Sequence, residues 1–296
     1  MCSFRPVVVG GSLILSLVVL GSTTASCPAA SRDASTAKPA AAGGSKDLRP
    51  LLVRHGLKTR LQGKRGTCSV FTMAGALEYA LAKKNGKCDF PVSVEFLNWA
   101  SNEENGIPED GSYFADLWQG FKAHGACSEA DLPYRQEFDP QTRPSDDARA
   151  KAKPLRDAGL HMHWIKYWNP NRGLTDRQLQ DIKRALDLGW PVCGGFLWPK
   201  DGREKWNDGV LEMRSRDQVR DGHSVLLVGY RDDLTQPGGG VFLIRNSAGR
   251  SRDGALSYEY VKAYMNDAVW IDDVARPEDP SARELAPSRE KPWWVQ

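Results

Sequence analysis

The chain of 296 residues has little net charge and lacks the common metal and cofactor motifs. Its formal charge is +3, which does not indicate the concentrated basic face that nucleic-acid binding needs. The HExxH, CxxC, phosphate-loop and dinucleotide patterns are all missing, so we expect no metal, no cofactor and no nucleic-acid partner. Hydrophobic residues make up 41% of the chain, which is ordinary globular usage and predicts a packed core.

Long apolar runs are also scarce. A run from Val7 to Leu20 follows Arg5 near the N-terminus, and it is short for a bilayer-spanning helix of about 20 residues. The pattern predicts a signal peptide over residues 1–26. Two outcomes stay open: an ordinary cleaved secretory signal, or a bacterial lipoprotein with a lipid anchor on Cys27. We expect a secreted, periplasmic or cell-surface protein with no transmembrane segment after signal removal.

Composition divides the rest of the chain into three parts. Residues 27–46 are rich in Ala, Ser and Gly, cannot bury a core and are predicted to form a disordered tether. Residues 47–275 form the predicted folded domain, with a helical lobe over about 62–150 and a β lobe over about 160–275. Residues 276–296 are polar and proline-rich, and are predicted to form a surface tail.

The helical lobe is predicted from apolar spacing. Apolar residues recur at three- and four-residue steps from Ser69 to Lys84, with Thr67 placed to cap this helix and Gly86 to stop it. Cys68 therefore lies at the positive end of a helix, where an anion is favoured. The same reasoning predicts helices over Ser93–Ala100, Tyr113–His124 and Leu174–Leu188.

The second lobe is predicted to be an antiparallel, barrel-like sheet. Short β-rich runs are separated by Gly and Asp clusters, and they span His223–Tyr230, Val241–Arg245 and Ala255–Tyr260. A helical lobe that faces a sheet lobe leaves a cleft between them. Such a cleft is the usual place for a site built from both halves.

Three distant segments carry the candidate chemistry. Cys68 ends the segment Gln62-Gly-Lys-Arg-Gly-Thr-Cys68, His223 follows Gly222 at the start of a strand-like run, and Asn246 ends another such run. A cysteine or a histidine in such a place is usually structural when it stands alone. Their joint occurrence in this order favours a thiol nucleophile with a histidine partner and an orienting amide.

These segments resemble the papain-like (C1-type) cysteine peptidases. Gln62 stands six residues before Cys68, Gly222-His223-Ser-Val is similar to the family's histidine motif, and Asn246-Ser-Ala-Gly249 is similar to its asparagine motif. The resemblance covers roughly Leu48 to Asp272. It implies an α+β papain-like fold of two lobes with the active-site cleft between them. It also implies a monomeric cysteine endopeptidase that binds protein or peptide substrates in extended form.

The resemblance also implies the catalytic roles. Cys68, as the thiolate, would attack the peptide carbonyl to form an acyl-enzyme, and the imidazolium of His223 would protonate the leaving amine. Asn246 would orient the imidazole. Gln62 and the backbone N–H of Cys68 would hold the oxyanion.

Substrate-binding residues follow from the same resemblance. The backbone of Gly111 would pair with extended substrate, and Gly222 would border the cleft beside His223. Cys193 has two interpretations that stay open: a small core residue in a strand, or a residue that lines the pocket for the second substrate side chain.

Two family tryptophans are replaced, by Ser69 after the nucleophile and by Ala248 after the asparagine motif. Ala248 should leave the contact between His223 and Asn246 more open to water, which predicts a weaker orienting bond. The family's extra cysteine shortly before the nucleophile is also missing. Two alternatives therefore stay open: a catalytically silent peptide-binding protein on the same fold, and a thiol amidase or acyltransferase.

The remaining cysteines suggest one disulfide. A signal peptide implies an oxidising compartment, and Cys88 and Cys127 both lie in turn-like settings just outside predicted helices. We expect these two residues to pair. The alternative is two buried free thiols.

Overall fold

The computed structural model describes residues 43–200, 204–248 and 253–277. The predicted signal peptide, the lipidation candidate Cys27 and the tail beyond residue 277 lie outside the described residues. No helix within these ranges is both long enough and apolar enough to cross a membrane.

The first half of the domain is helical, as predicted. Its helices are α1 (Arg49–Arg54), α2 (Cys68–Asn85), α3 (Val94–Asn105), α4 (Phe114–His124) and α5 (Asp146–Arg156). Ser93 caps α3 by accepting a hydrogen bond from the N–H of Phe96, as its sequence position allows. The sequence did not predict α5, in which only Ala148 and Ala152 are buried.

Helix α2 is the central helix, and its two ends differ from each other in how they are closed. Gly86 ends it in the left-handed conformation at φ 82°, where glycine carries no steric penalty. The predicted side-chain cap by Thr67 is wrong. The Thr67 hydroxyl instead forms a 2.7 Å hydrogen bond with the hydroxyl of Tyr134.

The second half is built on one large sheet. Its strands are β1 (Ser45–Asp47), β2 (His161–Lys166), β3 (Val192–Pro199), β4 (Trp206–Asn207), β5 (Val210–Leu211), β6 (Val219–Asp232), β7 (Gly240–Arg245), β8 (Asp253–Ser257) and β9 (Met265–Asp272), with helices α6 (Asp176–Asp187) and α7 (Tyr258–Tyr264). The order is β2-β9-β3-β6-β7-β8-β5-β4, and β1 pairs with β6. The ladders between the described strands are antiparallel except that of β5 with β8.

Two boundaries differ from the sequence-based expectation. The predicted tether was expected to run to residue 46, but regular structure begins before that, because Ser45–Asp47 forms strand β1 and pairs with β6. The carbonyl of Lys46 would lie only 2.3 Å from a Cβ at Gly229, so this approach requires a glycine. The run expected to continue as a strand to Tyr260 stops at Ser257, whose hydroxyl caps α7.

The predicted disulfide is wrong, because Cys88 and Cys127 are free. Their segments meet through a β-bridge between Val92 and Ser128 instead. Cys88 packs against the main core and donates to the carbonyl of Phe90 at 3.0 Å. Cys127 belongs to a separate cluster with Phe96 and Trp99. Burial raises the pKa of Cys88 to about 11 and that of Cys127 to about 12.

One hydrophobic core joins the two halves. Helix α2 packs against β3, β6 and β9, and the core includes Met73 and Leu77 of α2 together with Val225 and Leu227 of β6, all with 0% exposure. Burying one such side chain contributes roughly 1.5–3 kcal/mol. The position of α2 relative to the sheet is therefore fixed by packing.

Truncating this core should lower stability. We expect Leu77→Ala to reduce the free energy of unfolding by about 2–5 kcal/mol, because it removes a fully buried side chain and leaves a cavity. Urea unfolding followed by tryptophan fluorescence measures this. Leu234→Ala is the matched control, since Leu234 is 89% exposed. A similar loss in both variants would contradict the assignment of α2 as the core helix.

Candidate active site

Helix α2 and strand β6 bring Cys68 and His223 to the same cleft. Cys68 is the first residue of α2, and its thiol lies 3.7 Å from the carbonyl oxygen of Gly222. A cavity of about 110 Å³ is lined by Cys68, Gly222 and His223 together with Gly111 from the helical half. The fold thus brings two segments more than 150 residues apart to one cleft.

The contact between His223 and Asn246 is intact. Nε2 of His223 lies 3.0 Å from Oδ1 of Asn246, and the N–H of Ala248 donates to the same oxygen at 3.0 Å. Because an amide oxygen only accepts, Nε2 must carry a hydrogen. The second ring nitrogen, Nδ1, is then the one that can accept or release a proton.

This pair is not open to water, contrary to the expectation from Ala248. His223 is 8% exposed and Asn246 is 2% exposed. The ring of Trp198, from strand β3, lies 4.5 Å from the imidazole between centroids. The residue beside Asn246 in sequence is only one neighbour of the pair, and Trp198 adds an aromatic ring beside the imidazole from strand β3.

Gln62 is tied to the asparagine segment. Its Oε1 accepts from the hydroxyl of Ser247 at 2.8 Å, and its backbone N–H donates to the carbonyl of Ser247 at 2.9 Å. Its Nε2 donates one hydrogen to the carbonyl of Arg65 at 2.8 Å. An amide nitrogen carries two hydrogens, so these contacts use one of them. Gln62 does not line the cavity itself.

A buried ionic cluster fixes the loop before the nucleophile. The guanidinium of Arg65 contacts Glu95 of α3 at 2.6 Å and Asp110 at 2.9 Å, and its side chain is 4% exposed. The N–H of Gly66 also donates to Asp110 at 3.2 Å. No role was predicted for Arg65 from the sequence. The available signal was a pair of adjacent cations, Lys64 and Arg65, in an otherwise small, polar loop.

Gly111 borders the cleft in a conformation that favours glycine. Its φ is 94°, and a Cβ there would lie 2.4 Å from the carbonyl oxygen of Gly66. Its N–H donates to Oδ1 of Asn98 at 2.8 Å, so this hydrogen is used inside the protein. The next N–H, of Ser112, donates to the hydroxyl of Ser69 at 3.2 Å. Gly111 therefore joins two loops closely, and its N–H is already bonded within the protein.

Cys193 is a core residue and does not line the cleft. It is 0% exposed, and its thiol lies 3.7 Å from the carbonyl of Thr72 in α2. Burial raises its pKa. The strand instead presents Gly195 and Phe196 to the cavity. The pocket-lining interpretation of Cys193 is therefore wrong, because its side chain is buried against α2.

Burial opposes charge on both reactive groups. It raises the pKa of the Cys68 thiol, although hydrogen bonds from Ser224, Ser69 and the Cys68 N–H act the other way. Burial also lowers the pKa of His223, against the effects of the Asn246 bond and the charge of Glu204. The helix terminus alone therefore does not decide the state of the thiol.

Comparison with known proteins agrees with this geometry. The model of the papain family of cysteine proteases matches residues 47–271. The chain belongs to the papain family. It is a cysteine peptidase with an α+β papain-like fold.

Individual relatives are distant. The chain is 28% identical over 228 residues to the uncharacterized peptidase C1-like protein L477 of Acanthamoeba polyphaga mimivirus, covering 72% of this chain and 67% of that protein. It is 27% identical over 215 residues to cathepsin K of Mus musculus, again over 72% of this chain but only 58% of the relative. The match thus leaves about two fifths of the length of cathepsin K uncovered.

Solved structures share the fold. Xylellain, a cysteine protease from Xylella fastidiosa, superposes with a TM-score of 0.61 at 23% identity, covering 79% of this chain and 88% of that one. The cysteine protease and lectin-like domains of Cwp84, a surface layer associated protein of Clostridium difficile, give 0.55 at 17% identity over 79% of this chain and 52% of that one.

The ionic cluster at Arg65 can be tested by removing its cation. We expect Arg65→Met to lower the free energy of unfolding by about 3–5 kcal/mol, because the Glu95 carboxylate, 2% exposed, loses its partner. Chemical denaturation measures the loss. Arg135→Met is the control: its pair with Asp139 is about half exposed and should contribute about 0–1 kcal/mol. Equal effects of the two substitutions would show that the cluster has no special structural role.

Proposed function

We propose that the peptidase is an endopeptidase that uses Cys68 as nucleophile and His223 as its proton carrier. The observation that supports this most is the hydrogen bond from Nε2 of His223 to Asn246 in the same cleft as Cys68. This bond leaves Nδ1 as the nitrogen that exchanges a proton with the thiol. A cysteine, a base and an orienting group are the parts that nucleophilic catalysis requires.

The reaction would run in two halves. The thiol proton passes to Nδ1 of His223, and the sulfur of Cys68 bonds to the peptide carbonyl carbon. The imidazolium then gives that proton to the leaving amine as the C–N bond breaks, which leaves a thioester. A water molecule next gives a proton to Nδ1 and its oxygen to the acyl carbon. The proton returns to the sulfur as the acid departs.

The oxyanion would be held by two donors near the start of α2. The first N–H groups of a helix have no partner within it, and Cys68 is the first residue. The second hydrogen of the Gln62 amide is the other donor. Removal of one such donor typically lowers kcat by about 10²–10³-fold.

Extended substrate would lie between Gly111 and Gly222, which both line the cleft. Asp110 and Asp267 also line it, and no Lys or Arg is among the described lining residues. Asp110 pairs with Arg65 at 2.9 Å, and Asp267 lies against Gly195, where a Cβ would come within 2.1 Å of its carboxylate.

Loss of the nucleophile should abolish cleavage. Cys68→Ala and His223→Ala should each lower kcat/KM by about 10⁴-fold or more, because each removes a reacting atom. A peptide library read by mass spectrometry, with the full chain, measures both activity and the position of cleavage. Cys88→Ala should retain activity, since Cys88 lies outside the cleft.

The same experiment separates the alternatives. Internal cleavage by the wild type that Cys68→Ala lacks supports an endopeptidase. A folded wild type whose Cys68 is not alkylated by a thiol-directed epoxide at pH 6 would support a silent binding protein. Release of ammonia or acyl transfer from small amides, without peptide cleavage, would support an amidase or acyltransferase.

A further inference from the structure

The imidazole of His223 is covered by a side chain that the sequence motifs do not include. Residue 248, in the asparagine segment, is an alanine, which has no large side chain to place beside the ring. Instead the indole of Trp198 lies 4.5 Å from the imidazole, with 57° between the ring planes. Trp198 lies on strand β3, which pairs with β6. In this ladder Phe196 is opposite His223, and the register shifts between Phe196 and Leu197.

Trp198 is itself held on several sides. Its Nε1–H donates to Oε1 of Glu204 at 2.7 Å, and its ring packs near Trp206 and edge-on against Tyr260. Tyr260 is fully buried and donates its hydroxyl to the carbonyl of Leu197 at 2.8 Å. The indole is 6% exposed, and these contacts hold it beside the imidazole.

The charged groups around His223 act in opposite directions. Glu204, beyond β3, favours the imidazolium, whereas Arg220 of β6 and burial disfavour it, so that the pKa of His223 is lowered. Cys68 of α2 faces the same cleft, as does Asp267 of β9. The neighbour after β7 is the neutral amide of Asn246. Glu204 is thus a carboxylate that both fixes the covering ring and acts on the charge of His223.

We propose that Trp198 and Glu204 are positioning residues for His223: the indole excludes water from its bond to Asn246, and the carboxylate holds the indole and stabilises the imidazolium. This rests on the proposed role of His223. The dry, low-dielectric side of the ring strengthens the bond to Asn246. The charge of Glu204 offsets part of the cost of protonating a buried imidazole.

The two contributions can be separated by substitution. Trp198→Ala removes both the aromatic ring beside the imidazole and its hydrogen bond to Glu204. It should lower kcat roughly 10- to 100-fold with little change in KM, because the imidazole loses its fixed orientation. Trp198→Phe keeps an aromatic cover but loses the hydrogen bond to Glu204, so it should recover most of that loss. Glu204→Gln keeps an oxygen that can accept from the indole but removes the charge.

Glu204→Gln gives the most direct test. The carboxylate raises the pKa of His223, so its removal should move the acid limb of kcat/KM to lower pH, by about half a unit for a partly screened charge. The limb itself should lie below pH 6.5, because the pKa of His223 is lowered. Glu259→Gln, an exposed carboxylate on α7, should leave the profile unchanged.

A second readout does not depend on peptide cleavage. The rate of Cys68 alkylation by iodoacetamide, measured against pH, reports the state of the thiol and imidazole directly. Shifted alkylation profiles in Trp198→Ala and Glu204→Gln support the inference even if no peptide is cleaved. Wild-type profiles in folded Glu204→Gln and Trp198→Ala, with unchanged kcat, would overturn it while leaving the peptidase activity in place.

Discussion

The packing of helix α2 against the sheet is the interaction on which the site depends. Cys68 is the first residue of α2, and His223 lies on β6, so their relation is set by how these elements pack. A shift of α2 by one turn would displace the sulfur by about 5.4 Å, far from Gly222. The buried core of Met73, Leu77 and Val225 prevents this. The meeting of these two distant segments at one cleft is thus a consequence of hydrophobic burial.

Two sets of contacts lie beside the site where the sequence departs from the family pattern. The loop before Cys68 is held by Arg65 between Glu95 and Asp110, and the imidazole is covered by Trp198 from a different strand. A buried ion pair contributes little net stability compared with an apolar replacement, yet removing one partner is costly. The cluster at Arg65 therefore adds little net stability, but it holds the loop before Cys68 in place and is costly to break.

The electrostatics of the site follow from the same burial. The cleft shelters Cys68 and His223 from water, which disfavours either charge alone. In a low-dielectric site the attraction between a thiolate and an imidazolium is stronger than in water. The two groups are therefore expected to change charge together, and their titration belongs to the pair. A small electrostatic contribution, such as that of the Glu204 carboxylate, can then shift the equilibrium between the charged and the neutral forms of the pair.

Local patterns in the sequence determined the helix starting at Cys68, its end at Gly86, and the segments of His223 and Asn246, because spacing and capping act within a few residues. The sequence did not reveal strand β9, which is buried on both faces and shows no alternation, or helix α5, which buries little. It also misassigned Cys88 and Cys127. Only the tertiary structure decided that these thiols stay apart and that Trp198 covers His223, because such contacts join residues that local sequence does not relate.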